Sequence, residues 1–170
     1  NNIILAYPST AAQMFHLLRR QAKSNYVKPL VIFLSKRLLR FKDAMSSVDD
    51  ITKGAFLPII TDMFAKNSAK RIVLCAGQVY YDLVKSRSEA NKVDDIAIIR
   101  VEQLYPFPRE LLTAELSKYS KATEFVWAQE EPYNQGAWLQ IREDLDACLP
   151  SGKKAFTGVA RPSAAAPACG

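Results

Sequence analysis

The residues best placed for chemistry sit in one stretch, Gln129-Glu130-Glu131-Pro132-Tyr133-Asn134-Gln135-Gly136-Ala137-Trp138. Two adjacent carboxylates are the raw material of acid–base work, of pairing with a basic surface, or of a charge opposed to a helix dipole. Neighbours on an extended segment point to opposite sides, so Glu130 and Glu131 cannot share one proton as a dyad. A loop-fixing or interface role for Glu130, Glu131, Asn134 and Gln135 is therefore expected ahead of catalysis. The stretch follows an apolar run and leads into a helical pattern. That places it at the carboxyl edge of a sheet, where ligands of α/β folds gather.

The second candidate is a basic cluster. Lys and Arg total 23 and Asp and Glu 17, a net charge of +6. Residues 1–42 hold eight of the bases (Arg19, Arg20, Lys23, Lys28, Lys36, Arg37, Arg40 and Lys42) and no acid. The remaining 128 residues hold 15 bases and 17 acids, so the positive charge belongs to the N-terminal quarter. Lys36, Arg37 and Arg40 follow an apolar run, with no acid anywhere before Asp43 to neutralise them. Such a patch suits a phosphorylated ligand or the acidic surface of a neighbouring domain, or is simply solvated. Nucleic acid has only the charge in its favour, with no helix-turn-helix, RNP or zinc pattern behind it.

Other reactive types offer less. Cys75, Cys148 and Cys169 are far apart and form no C-x-x-C, and His16 is the single histidine. A zinc site, a disulfide framework and a Ser/His/Asp or Cys/His triad are all disfavoured, and a reducing compartment fits. Cys75-Ala76-Gly77 joins a strand to a helix. With one glycine and no G-x-G-x-x-G or G-K-[ST], it reads as a tight turn rather than a phosphate cradle. Tyr80-Tyr81 reads as one core and one surface ring. The chain starts at Asn1 without Met or a signal-type segment, and is expected to be a fragment of a longer protein.

The elements that must position these residues alternate. Residues 3–7 read as a strand. Thr10 and Gln13 form a capping box for a helix to about Ser24, whose buried stripe is expected at Ala11, Met14, Leu18 and Ala22, with Arg19, Arg20 and Lys23 outward. Residues 30–34 are a second strand, completing a βαβ unit. Residues 41–70, rich in Ser, Asp, Lys and Asn, read as a linker anchored by Phe56, Leu57 and Ile59. Strands follow at 72–75, 95–101 and 124–128, with helices from Gly77 to about Ala90, from Pro108, and from Gln135 to Ala147, and a last strand at 154–157. Residues 161–170 form an irregular tail. The chain is therefore an α/β protein with a mainly parallel sheet flanked by helices. Its 49% apolar and 24% charged composition is globular,. No apolar run reaches the roughly 18 residues of a membrane helix.

Several strings, taken in order, resemble one family. They are Pro8-Ser9-Thr10 with Phe15-His16-Leu17-Leu18-Arg19-Arg20-Gln21; Lys28-Pro29-Leu30-Val31-Ile32 with Ser35-Lys36 and Leu38-Leu39-Arg40; and Gly77 with Val79-Tyr80-Tyr81-Asp82-Leu83. They continue through Arg100-Val101-Glu102-Gln103-Leu104-Tyr105-Pro106-Phe107-Pro108, the acidic loop, and Arg161-Pro162 with Ala166-Pro167-Ala168 and Gly170. Together they resemble the C-terminal portion of the thiamine diphosphate-dependent decarboxylating component of 2-oxoglutarate dehydrogenase, or of its paralogue acting on 2-oxoadipate.

The resemblance implies residues 1–40 as the end of a pyrimidine-binding domain, 41–70 as a linker and 71–160 as a transketolase-type C-terminal domain. It implies a homodimeric parent in a multienzyme complex, mitochondrial or bacterial-cytoplasmic, that uses thiamine diphosphate and magnesium. That parent succinylates the lipoyl group of an acyltransferase, and some bacterial members respond to acetyl-CoA or nucleotides. This chain lacks the G-D-G…N motif, so neither catalytic nor cofactor residues carry over, and by itself it is expected to be inactive. It departs from the family pattern at Ala11 (usually Pro), Arg37 (often Ser), Gln78 (often Lys) and Ala160 (usually Gly).

Overall fold

The computed structural model describes residues 2–166, so Cys169 and the closing pattern at Pro167, Ala168 and Gly170 lie outside the described residues. Two sheets organise the chain. The smaller contains β1 (Ile4–Ala6), β2 (Leu30–Ile32) and β6 (Gln103–Tyr105), in the order β2-β1-β6. β1 and β2 are parallel, joined through helix α1 (Ala11–Lys23), as the expected βαβ unit requires. β6 pairs antiparallel with β1.

The larger sheet has the order β3-β5-β4-β7-β8, built from β3 (Ile59–Ile60), β4 (Arg71–Cys75), β5 (Ile96–Val101), β7 (Glu124–Pro132) and β8 (Thr157–Arg161). The last four are mutually parallel and β3 runs antiparallel at the edge. Helices α3 (Val79–Glu89), α4 (Arg109–Leu116) and α5 (Trp138–Ala147) connect them, and α2 (Val48–Lys53) lies in the 41–70 segment. β4 and the middle of β5 are buried on both faces, which accounts for their unbroken apolar runs,. No described helix is long and apolar enough to cross a membrane.

The core lies mainly on the α4/α5 side of the large sheet. Ile72, Leu74, Ile99, Phe125 and Trp127 meet Leu112, Leu116, Ile141 and Leu145 there. Trp138 packs in the same cluster, and a Cβ on Gly158 would come within 2.7 Å of its indole. The last strand starts at Thr157 rather than Lys154. Phe156 is buried, with its N–H on Asp146 Oδ1 at 2.7 Å, and the pairing with β7 begins one residue later.

The first helix is rotated relative to its expected phase. It buries Ala12, Gln13, His16 and Leu17, while Ala11, Leu18 and Ala22 are exposed, Leu18 by 50%. The reason is polar. Gln13 donates to the Leu57 carbonyl at 2.7 Å and accepts from the Leu57 N–H at 3.1 Å. His16 Nε2 meets the Asp50 carbonyl at 2.8 Å. These bonds turn two polar side chains inward, and counting apolar residues alone misses that. Arg20 is also not turned outward: its guanidinium stacks 4.3 Å over Phe56 and donates to Gln103 Oε1 at 2.7 Å,.

Within 41–70, Phe56 and Ile59 are buried as expected, but Leu57 is 51% exposed and anchors through its backbone. Asp62 is the stronger anchor. It forms a buried ion pair with Arg87 and accepts the Ile98 N–H at 2.8 Å, while Arg87 Nη1 also donates to the Ile96 carbonyl at 2.9 Å. Removing one member of such a pair leaves an uncompensated buried charge.

Truncating Trp138 to Ala should cost about 3–5 kcal/mol in a denaturant melt, because the ring is enclosed and leaves a cavity over Gly158. A change below about 1 kcal/mol would mean that the neighbouring helix closes over the space.

Candidate functional site

The carboxyl edge of the large sheet and the small sheet meet at a junction built around Glu102. This residue sits between β5 and β6 and is fully buried. Its carboxylate accepts the Ser9 N–H at 2.8 Å, the Ser9 hydroxyl at 2.5 Å and the Gln13 amide at 3.3 Å. Arg100 shares the Glu102 face of the strand. It donates to Ser9 Oγ at 2.9 Å and stacks 4.2 Å over Tyr80. Tyr81 donates to the Ser9 carbonyl at 2.7 Å. Tyr80 and Tyr81 are thus both half-buried, and each is used in the junction. Burial pushes the Glu102 carboxyl above its ordinary value, against the opposing pull of Arg100, Ser9 and Gln13,.

Gly77 belongs to the same junction. It adopts φ +71° in the turn after β4, and a Cβ there would overlap the Tyr7 ring at 2.2–2.5 Å. The tight turn expected from the sequence is present, and close approach of the small sheet is a second reason for glycine.

From Gly77 a polar relay crosses to the acidic loop. Ser35 Oγ, just after β2, hydrogen-bonds Gln78 Oε1, and Gln78 Nε2 donates to Glu130 Oε1 at 2.6 Å. Arg37 pairs with Asp82 of α3 at 3.3 Å and stacks over Phe41. The acid that sequence proximity did not supply to the basic cluster therefore comes from α3, and it takes Arg37. Lys36 and Arg40 are exposed, and their side chains have no hydrogen-bond or ion-pair partner among the described residues.

The loop itself is held by Gln129. Its Oε1 accepts the Trp127 indole N–H and the Trp138 N–H, each at 3.0 Å, and its amide donates to the Pro132 and Gln135 carbonyls at 3.1 and 2.7 Å. Asn134 exchanges two hydrogen bonds with Ala164, and Gln135 donates to the Ala164 carbonyl at 3.2 Å. Asn134 and Gln135 thus bind the chain's own tail. Glu130 and Glu131 diverge as extended neighbours must. Glu130 faces Gln78, and burial pushes its carboxyl above the ordinary range, making it a weaker acid. Glu131 lines a cavity of about 470 Å³ between the two sheets.

Among the described residues no group of three or more His, Cys, Asp and Glu side chains converges to hold a metal ion. The sequence has no G-D-G…N stretch of the kind that holds magnesium and a diphosphate. Cys75 is buried, and its thiol is pushed up to about 12 by desolvation, which makes it inert,.

Sequence reasoning missed Glu102, Ser9 and Arg100 as a unit. The available signal was two opposite charges two residues apart at the end of an otherwise apolar strand. That spacing puts both on one face.

The 2-oxoglutarate dehydrogenase C-terminal family matches residues 45–170. Over its whole length the chain is 47% identical to the 2-oxoglutarate dehydrogenase E1 component of Cupriavidus necator and 45% identical to that of Coxiella burnetii. It is 44% identical, over 99% of its length, to the Haemophilus influenzae protein of the same name. The chain spans 18% of the length of each of these relatives.

Because the folded Glu102 carboxyl is harder to ionise than an unfolded one, it holds its proton more tightly in the folded chain. Its contribution to stability is greatest below the ordinary value of 4.5 and declines as pH rises through the raised folded value,. Glu102→Gln should remove that slope. It should also lower stability near neutrality by about 1–3 kcal/mol, since an amide nitrogen cannot accept from Ser9. Urea melts of both proteins across the acidic range check this; an unchanged slope would show that Glu102 titrates ordinarily.

Proposed function

The chain belongs to the 2-oxoglutarate dehydrogenase C-terminal family, and from that membership we propose that it is the C-terminal portion of a thiamine diphosphate-dependent enzyme. That enzyme decarboxylates 2-oxoglutarate and transfers the succinyl group to the lipoyl arm of an acyltransferase component. The observation that carries this reading is that similarity to proteins named 2-oxoglutarate dehydrogenase E1 component spans both sheets and the Glu102 junction between them. Within the enzyme, residues 1–40 complete a pyrimidine-binding domain, 41–70 link it to the next unit, and 71–160 form the C-terminal domain. The chain serves dimerisation, assembly or regulation, while cofactor and magnesium are bound by other parts of the parent. Bacterial relatives support a cytoplasmic setting.

An exposed apolar face supports the assembly role. Phe15 of α1, with Leu34 and Leu39 after β2, is exposed around a groove of about 310 Å³ that also contains Met14 and Ala44. A face of this kind is an interaction surface by its composition. We assign it to contact with the rest of the parent or with a second copy.

A second reading concerns Lys36 and Arg40. With Arg37 taken by Asp82, these two carry the unneutralised positive charge of the cluster. They contact a phosphorylated effector or an acidic surface of a neighbouring domain, through bidentate Arg and point-charge Lys contacts.

Two outcomes are expected. The isolated chain should show no saturable heat on titration with thiamine diphosphate and magnesium, and no decarboxylation of 2-oxoglutarate. Micromolar binding would contradict the assignment of both sites elsewhere. In the full-length enzyme, Lys36→Ala with Arg40→Ala should abolish the response to acetyl-CoA or AMP at fixed ionic strength. Lost thermal stability with an intact response would favour the interdomain contact, and no change in either would eliminate both readings.

A further inference from the structure

The cavity beneath the acidic loop has a composition unlike the rest of the chain. Its volume of about 470 Å³ falls in the range of small-molecule sites, roughly 300–1,000 Å³,. Both sheets contribute walls: Tyr7 and Phe33 from the ends of β1 and β2, Tyr105 from β6 and Trp127 from β7. In a protein of net charge +6, no lysine or arginine lines it.

Its polar groups differ in how far they are already engaged. Gln129 spends its amide on the loop, as described above. Asp144 is ion-paired with Arg109. The Glu131 carboxylate is half-buried, and among the described residues it has no hydrogen bond or ion pair. Glu130, the adjacent acid, is turned away and held by Gln78. The cavity therefore combines one uncompensated carboxylate with several aromatic rings. A carboxylate attracts a cation, the negative faces of the rings add to that attraction, and the apolar wall favours a hydrophobic body behind the charge. An anion is repelled, and a neutral body gains only the wall.

We propose that this cavity binds a small organic cation, an ammonium group carried on an aryl or alkyl body, with Glu131 as its counter-ion and Tyr7, Phe33, Tyr105 and Trp127 as its walls. Tyr7 enters as a neutral ring. Burial, with Glu130 and Glu131 adding to it, pushes its hydroxyl up to about 12, so it brings no competing negative charge. The site is separate from the Lys36/Arg40 patch in ligand charge, and it stands whether or not the parent enzyme is the one proposed above.

The test is calorimetric titration of the intact protein with 2-phenylethylammonium and, separately, with 2-phenylethanol, which has the same heavy-atom shape without the charge. Saturable binding of the ammonium compound is expected, at least about tenfold tighter than the alcohol. Glu131→Gln should abolish that preference without changing the thermal midpoint. Gln140→Trp, which places a large ring at an exposed lining position, should block both compounds. Equal affinity for the two compounds, an undiminished preference in Glu131→Gln, or no saturable binding to the wild type would each overturn the proposal. Because the probes are unrelated to acetyl-CoA or AMP, failure here leaves the effector reading untouched.

Discussion

The buried carboxylate of Glu102 is the constraint on which the remaining architecture depends. A carboxylate removed from water must find donors, and Glu102 finds them in the Ser9 N–H, the Ser9 hydroxyl and the Gln13 amide,. Those donors lie at the start of the first helix, so satisfying the charge ties that helix to the junction between the two sheets,. Gln13 passes the constraint on by gripping both backbone groups of Leu57, and Pro58 accepts the Glu102 and Gln103 N–H groups through its carbonyl. The network is fully connected, which makes it rigid. Losing one member would leave several groups without partners at once.

The small sheet follows from the same constraint. Directly after Glu102, β6 pairs with β1, so the strand that ends one unit is the edge strand of the other. Arg20 from α1 reaches Gln103, and Tyr7 closes against Gly77. The two sheets are therefore joined by strand pairing, a buried charge and an aromatic contact. The cavity and the Ser35–Gln78–Glu130 relay both lie across that join. The groups that could meet a ligand or partner are positioned by the junction rather than by either sheet alone.

The charge asymmetry of the sequence has a structural counterpart, although a smaller one than the count suggests. Of the eight early bases, Arg20 is absorbed by Phe56 and Gln103, and Arg37 by Asp82 and Phe41. Lys28 lies over the Tyr26 ring. An exposed pair such as Arg37–Asp82 contributes little stability, but it lowers the free charge of the patch. Arg19, Lys23, Lys36, Arg40 and Lys42 keep side-chain charges with no partner among the described residues, and of these Lys36 and Arg40 belong to the cluster that follows β2.

Local pattern was enough to establish the alternating elements, the parallel large sheet, the buried Trp138–Ile141–Leu145 stripe and the divergence of Glu130 from Glu131. Each rests on a period of 2 or 3.6 residues, or on a turn residue, and those are properties of neighbours in the chain. The family membership was legible in the ordered strings for the same reason, since they are local text. The phase of the first helix, the short strand at Gln103–Tyr105, the Asp62 anchor and the partner of Arg37 were not legible. Each depends on a polar group, of side chain or backbone, whose partner is 25 to 100 residues away. A buried polar side chain looks, in sequence, the same as an exposed one. Only the folded chain shows which donors reach it, and so which face of a helix turns inward.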